Sequence, residues 1–216
     1  MHNDVPNRRL AMAEMSYPVI IRDLRSDEFA GAIEVITRGM RDNPLHIQAL
    51  GADPEARIAG LKRMFDNVLP LISRKGVVLG AFDGNELLGV AGMLSPGNCR
   101  PAPLEMLIIL PKIFSAAGVR GFGRVVRWLN AWKKHDLREP HWHLGPVAVD
   151  GHLQGRGIGS ALMMEYCTRL DSQHAAGYLE TDKRINVTFY EKFGFQTVAE
   201  SLVLGVPNWF MRRPAS

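Results

Sequence analysis

The first half of the chain opens with a strand pattern and continues with two helical patterns. Tyr17–Arg22 is a short β-rich run, and Ser26-Asp27-Glu28 after it is typical of a helix start. The apolar spacing predicts a helix from there to about Arg38. A second helix is predicted to begin at Asp53-Pro54 and to end at Pro70, with one apolar face made by Ile58, Leu61, Met64, Phe65 and Val68. Residues 1–15 lack periodicity, which predicts a flexible arm, and 16–216 are expected to form one domain.

The middle of the chain changes to a period of two. Two apolar runs, Gly76–Phe82 and Glu86–Leu94, flank an Asp-Gly turn and predict a β-hairpin. Residues 95–140 then return to a helical pattern and are predicted to be a helical insert, with one segment over Leu104–Phe114 and another over Val119–Lys134. The glycines of Gly118–Gly123 predict a break between these two helical segments.

The last third combines strands and helices with a glycine-rich loop. His141–Val149 is predicted to be a strand, and the loop Gln154–Ser160 leads from it directly into a helix. A strand, a helix and two more strands follow, over Gly177–Thr181, Val187–Lys192, Gln196–Val203 and Val206–Arg212. The predicted order is β-α-α-β-β-(insert)-β-α-β-α-β-β, which indicates an α/β domain.

Composition narrows the class of protein. The chain has 216 residues, of which 46% are hydrophobic and 22% charged, as in globular domains. Two cysteines, Cys99 and Cys167, are too few for a disulfide framework, so a cytoplasmic location is expected. No sufficiently long apolar run is evident, so we expect no membrane association. The net charge of +4 suits an anionic ligand but does not by itself indicate nucleic acid binding.

The glycine-rich loop has the composition of an anion-binding loop. Gly155, Gly157 and Gly159 let the backbone approach a ligand closely, and the following helix N-terminus adds partial positive charge. The loop lacks the Lys-Ser/Thr pair of a Walker loop, and its spacing differs from the Gly-x-Gly-x-x-Gly pattern of dinucleotide-binding folds. The sequence therefore predicts a phosphate site of another kind.

The spacing Gln154-Gly155-Arg156-Gly157-Ile158-Gly159 resembles that of the GNAT superfamily of acyl-CoA-dependent N-acyltransferases. The C-terminal portion is most similar to the puromycin N-acetyltransferase branch, in Tyr178–Thr181, Asn186, Phe189–Phe195 and Trp209–Arg212. This resemblance implies a mixed, mainly antiparallel sheet flanked by helices, with acetyl-CoA as cosubstrate. It implies that the loop from Gln154 to Ser160 binds the coenzyme's pyrophosphate through its amides. It also implies that the backbone of Val147, Ala148 and Val149 pairs with the pantetheine arm.

Acetyl transfer from a thioester to an amine needs a base, an oxyanion donor and an acid. His143 lies 11 residues before Gln154, a position that carries a glutamate or histidine base in members of the family. His143 is thus a candidate base, with His141 as a helper. Glu180 is either the rival base or a carboxylate that holds the ammonium group of the acceptor. The resemblance assigns Tyr190 as the acid that protonates the thiolate. Asn186 either contacts the coenzyme or caps its helix.

The sequence thus predicts an N-acetyltransferase that moves an acetyl group from acetyl-CoA to a small-molecule amine. Two alternatives stay open: a protein or peptide N-acetyltransferase, and a non-catalytic acyl-CoA-binding sensor. The chain is expected to be a monomer or homodimer. His141 and His143 could take part in a metal site, but no carboxylate or cysteine at a metal-ligand spacing accompanies them, so no metal is expected.

Overall fold

A computed structural model describes residues 19–100 and 102–216, so the predicted arm over 1–15 lies outside the described residues. Seven strands are seen: β1 Ile20–Asp23, β2 Gly76–Asp83, β3 Glu86–Leu94, β4 His141–Val149, β5 Ala176–Thr181, β6 Gln196–Val203 and β7 Val206–Arg213. The α-helices are α1 Phe29–Met40, α2 Pro44–Leu50, α3 Pro54–Lys75, α4 Pro103–His135, α5 Ile158–Ser172 and α6 Arg184–Glu191. The predicted order of elements is confirmed except for α2.

The strands form one sheet in the order β1-β2-β3-β4-β5-β7-β6. Neighbouring strands run antiparallel except β4 and β5, which are parallel and are connected through α5. This confirms the predicted mixed, mainly antiparallel sheet. A parallel pair requires a long crossover connection, and α5 supplies it immediately after the glycine-rich loop.

Helices cover both faces of the sheet because successive strand residues point to opposite sides. On one face, Leu162, Met163 and Tyr166 of α5 are fully buried against the strands, and the Tyr166 hydroxyl donates to the Trp142 carbonyl at 2.9 Å. On the other face, α1 and α3 bury a second apolar cluster. Helices α2 and α4 pack over the end formed by β5, β6 and β7.

Two helix predictions differ from the structure. Pro70 was expected to end α3, but the helix continues to Lys75 with Pro70 inside it. Proline costs about 3 kcal/mol within a helix, and the burial of Leu69 and Ile72 on either side offsets that cost. The seven-residue α2 was not predicted, although Asn43-Pro44 has the residue types of a helix start.

The predicted break in the helical insert is confirmed. Gly118 has φ 63° and ψ 179°, so α4 consists of two helical segments that meet at this residue. By length and composition alone, Glu105–His135 is long and apolar enough to cross a membrane, contrary to the sequence expectation. One such helix is weak evidence of a membrane segment, and Gly118 divides it into two shorter helical segments.

A buried arginine joins the first three helices. The side chain of Arg57 is 4% exposed. Its guanidinium donates to the carbonyls of Arg41, Gly51 and Ala52 at 2.8–2.9 Å and to Asp42 Oδ1 at 2.9 Å. These acceptors lie in the connections between α1, α2 and α3, so one cation fixes the position of α2.

We expect Arg57→Ala to lower the free energy of unfolding by about 3 kcal/mol, because it removes the four hydrogen bonds by which the buried guanidinium joins these connections. Urea denaturation would measure this. Arg63→Ala, an exposed arginine of the same helix, is the control and should change the free energy by less than about 0.5 kcal/mol. Equal effects of the two substitutions would contradict the assigned role.

Candidate active site

The parallel pairing of β4 and β5 is short. It covers only His141–Leu144 opposite Ala176–Leu179. Beyond this point the register between β3 and β4 shifts, between Ala91 and Met93, and β4 stays paired with β3 to Val149. Among the described residues, the edge of Val147–Val149 that faces β5 has no strand partner, so its backbone is available to a ligand.

The glycine-rich loop lies at the end of this unpaired edge. Gly155 and Gly157 have φ values of 80° and 87°, a region that residues with a Cβ adopt only at a cost. Gly157 is the N-cap of α5, and no side chain caps the helix. The amides of Ile158, Gly159 and Ser160 form the first turn and have no intrahelical acceptor. The loop therefore presents a row of N–H donors at a helix N-terminus, as an anion site requires.

The side chains of the loop point in different directions. Gln154 Nε2 donates to the Val149 carbonyl at 3.2 Å, which fastens the loop to the end of β4. Ile158 is the first residue of α5 and its side chain is buried in the core, so only its amide faces the loop. Arg156 is exposed and lines a small second cavity with Asp83 and Glu86 of the hairpin. The predicted anion site therefore consists mainly of backbone.

His143 and Glu180 meet where the two strands diverge. His143 lies opposite Tyr178 in the parallel register, and Glu180 is two residues further along the same face of β5. His143 Nε2 lies 2.8 Å from Glu180 Oε2, whose side chain is 3% exposed. Burial opposes protonation of His143, but the charge of Glu180 and this hydrogen bond outweigh it and raise the pKa of His143 above its ordinary value. The two candidate bases are thus one hydrogen-bonded pair.

His141 lies in a different environment. Its Nδ1 donates to the Glu139 carbonyl at 2.8 Å, and its Nε2 is 3.1 Å from Asp136 Oδ1. Burial opposes the charged form, but Asp136, Cys99 and the Glu139 carbonyl outweigh it and raise the pKa of His141 to about 10. A ring that is already protonated at neutral pH cannot accept a proton, which argues against the helper role considered from the sequence.

Cys99 completes a cluster that sequence spacing could not reveal. Its Sγ and one ring nitrogen of each histidine lie within 4.8 Å of one another, although Cys99 is 42 residues from His141. Thiol and imidazole groups are zinc-ligand types, so among the described residues this is where a metal could be held. Here the thiol donates to the His141 carbonyl at 3.4 Å. That no metal is required stays a prediction.

Tyr190 and Asn186, both on α6, line the same cavity as His143 and Glu180. Burial raises the pKa of the Tyr190 hydroxyl, and the charge of Asp182 adds to this effect, so the phenol stays protonated and can donate. Asn186 Nδ2 donates to Thr181 Oγ1 at 3.1 Å. The N-cap of α6 is Lys183, so the alternative that Asn186 caps the helix is wrong.

One cavity of about 340 Å³ joins these groups. His143, Glu180, Asn186 and Tyr190 line it together with Val147 from the unpaired edge of β4. Its other walls come from α2, α3 and α4 and include Met106 and Trp128, and Asp182, which directly follows β5, also lines it. None of these three was predicted as a site residue. The Pro44 helix start and the apolar stripe of the insert were visible in the sequence, but nothing in it showed that both face the same space.

Comparisons with known proteins agree with this geometry. Residues 58–195 match the Acetyltransferase (GNAT) family. Solved structures with the same fold include a histone acetyltransferase HPA2 and related acetyltransferase from Corynebacterium glutamicum, with 21% identity and a TM-score of 0.69. That alignment covers 93% of this chain and 98% of the other.

Two further structures are more distant. A polyamine N-acetyltransferase from Drosophila melanogaster has 15% identity and a TM-score of 0.66, with 91% of this chain and 100% of the other covered. The ribosomal-protein-S18-alanine N-acetyltransferase from Escherichia coli has 12% identity and a TM-score of 0.55, with 92% and 95% covered. At these identities the structures show the fold alone, and the likeness to the puromycin branch stays a prediction.

The family match spans more than half of the chain, and it includes the unpaired strand edge, the glycine-rich loop and the His143–Glu180 pair. The chain therefore belongs to the acetyltransferase (GNAT) family.

Proposed function

We propose that this protein transfers an acetyl group from acetyl-CoA directly to the amine of a small molecule. The observation that carries the proposal is the cavity in which His143, Glu180 and Tyr190 line one space beside the unpaired edge of β4. A non-catalytic sensor needs the edge and the loop but neither a base nor an acid, so this combination favours an enzyme.

Acetyl-CoA fits the open edge and the loop by their chemistry. The row of free amides at Gly157–Ser160 matches a pyrophosphate, and the backbone groups of Val147–Val149 match the amides of a pantetheine arm. An amide of this stretch would also stabilise the oxyanion that develops on the thioester carbonyl. Gln154 would hold the loop in place, and Arg156 would add a cation at its rim.

The transfer can be written with the groups that line the cavity. The acceptor ammonium loses a proton to His143, directly or through water, with Glu180 hydrogen-bonded to the ring. The amine nitrogen attacks the thioester carbonyl, the C–N bond forms, and the C–S bond breaks. Tyr190 gives its hydroxyl proton to the departing thiolate, and the second proton of the amine nitrogen returns through water to the Tyr190 phenolate. The proton held by His143 then passes to solvent. The proton transfers to His143 and from Tyr190 use positioned side chains, which typically contribute a factor of about 10²–10⁴ each.

The position of α4 favours a small acceptor over a protein. Ile113 and Trp128 of α4 are buried in a cluster with Leu45 of α2 and Phe210 of β7, so the helical insert forms a wall of the cavity. An extended peptide needs a groove that is open along its length. A wall of this kind instead suits a molecule that enters the cavity whole.

Binding of acetyl-CoA should depend on the glycine loop. We expect Gly157→Asp to abolish the micromolar binding that calorimetry should detect for the wild type, because it adds a negative charge and a strained φ beside the pyrophosphate. Gly205→Asp is the matched control, since Gly205 is an exposed turn glycine with φ 80°, and it should bind normally. Normal binding by Gly157→Asp would exclude the loop as the anion site.

The acid role of Tyr190 has its own test. Tyr190→Phe should lower kcat by about 10²-fold or more, with little change in the KM for acetyl-CoA, because only the hydroxyl is lost. Tyr166→Phe is the control: its hydroxyl bonds to Trp142 away from the cavity, and its loss should lower stability by about 1 kcal/mol without changing kcat. An unchanged kcat in Tyr190→Phe would remove the residue from the mechanism.

The pH dependence separates the two candidate bases. A neutral His143 accepts the proton, so kcat/KM should rise with pH, with an acidic limb above the ordinary imidazole pKa of about 6.5. Glu180→Gln removes the charge that raises the pKa of His143, so the limb should move to lower pH by about 1–3 units. The other groups that face the His143 ring are the same in the wild type and in Glu180→Gln: His141, Asp136, Cys99 and Tyr178.

Release of the coenzyme A thiol, followed by stopped-flow or at steady state, gives kcat/KM at each pH, and this profile identifies the base. A shifted limb with activity retained supports His143. Complete loss of activity in Glu180→Gln, together with a limb that persists in His143→Ala, would assign the base to Glu180 instead.

A further inference from the structure

The two ends of the cavity differ in chemistry. Glu180 and Asp182 both come from the end of β5, and they place negative charge beside the reacting groups. The walls from α3 and α4 are lined by apolar side chains, among them Met64, Phe65, Val68, Met106, Ile109 and Ile113.

The charged groups near the apolar walls are already engaged. Lys75 is the charged side chain that α3 contributes to the described lining, and its Nζ lies 2.5 Å from Glu105 Oε2. Within the described lining residues, α3 and α4 therefore offer no unpaired carboxylate to a second cation and no unpaired cation to an acceptor carboxylate.

This arrangement distinguishes classes of amine. A single ammonium group at the β5 end meets Glu180 and Asp182, while an apolar body gains free energy by leaving water among the side chains of α3 and α4. A second ammonium on the same molecule would be placed among those side chains without an anion, and burying an unpaired charge is costly. An acceptor carboxylate would meet the same cost.

Resting on the proposed function, we propose that the acceptor is a monoamine with an apolar body and is not a polyamine or an amino acid. The β5 end of the cavity selects the amine, and the walls from α3 and α4 select the body.

Matched alkylamines test the class. With acetyl-CoA saturating, kcat/KM should rise about fourfold for each methylene added from propylamine to hexylamine, which corresponds to about 0.8 kcal/mol per buried methylene. Hexamethylenediamine has the same chain with a second ammonium, and its kcat/KM should be about 100-fold or more below that of hexylamine. A diamine that equals or exceeds hexylamine, or a flat alkyl series, would overturn the proposal.

A substitution in the α4 wall should change this preference. Met106 lines the cavity and is half-buried, so Met106→Glu would place a carboxylate where the second ammonium arrives. We expect the preference for hexylamine over the diamine to fall at least about tenfold. Met106→Gln, of the same size without the charge, should retain the preference. Leu107→Glu adds the same charge at a neighbouring residue that is 68% exposed and does not line the cavity, and it should behave like the wild type.

Equilibrium binding separates a wrong substrate class from a wrong function. Trp128 and Trp132 line the cavity, so binding of either amine can be followed by tryptophan fluorescence without any transfer. Tighter binding of hexylamine with no thiol release would support the class and contradict the proposed transfer. Thiol release with the diamine as the better substrate would support the transfer and overturn the class. Absence of hexylamine binding at millimolar concentration would also overturn the class.

Discussion

The short parallel pairing between β4 and β5 is the constraint on which the rest of the site depends. Buried backbone N–H and C=O groups require partners, yet β4 follows β3 beyond Leu144 and leaves Val147–Val149 unpaired toward β5. A ligand with its own amides can act there as an extra strand. Because α5 must cross from β4 to β5, its N-terminus and the glycine-rich loop necessarily lie at the end of the same opening. One feature of strand pairing thus locates both the extended and the anionic part of the ligand site.

The same divergence determines the electrostatics of the reacting end. His143 lies in the paired part of β4, and Glu180 lies one residue beyond the paired part of β5. Their side chains are close enough to form a 2.8 Å hydrogen bond. A buried carboxylate without a partner would be costly. The hydrogen bond with the His143 ring offsets this cost for Glu180. His141, two residues earlier, contacts Asp136 instead. Two histidines in a His-x-His sequence therefore have different electrostatic roles.

The acceptor side depends on tertiary contacts that come from distant parts of the chain. Helix α2 has only seven residues and would not be stable alone, but Asp182 accepts from its first turn and Arg57 binds the carbonyls that follow it. Helix α4 then packs on α2 and contributes apolar side chains to the cavity. The selectivity proposed for the cavity would thus also depend on Arg57, which does not line it.

The sequence by itself determined the strand before the loop, the helix after it, and the family to which they belong, because glycine spacing and hydrophobic periodicity are local properties. It also identified His143, Glu180 and Tyr190, although their roles stay predictions. Only the tertiary structure decided that His143 and Glu180 form one pair, that His141 faces Asp136, and that Cys99 lies beside both histidines. These contacts join residues tens of positions apart, and strand register and helix packing fix them. Local patterns carry no information about such distances, and so the cavity and its apolar walls emerged only from the fold.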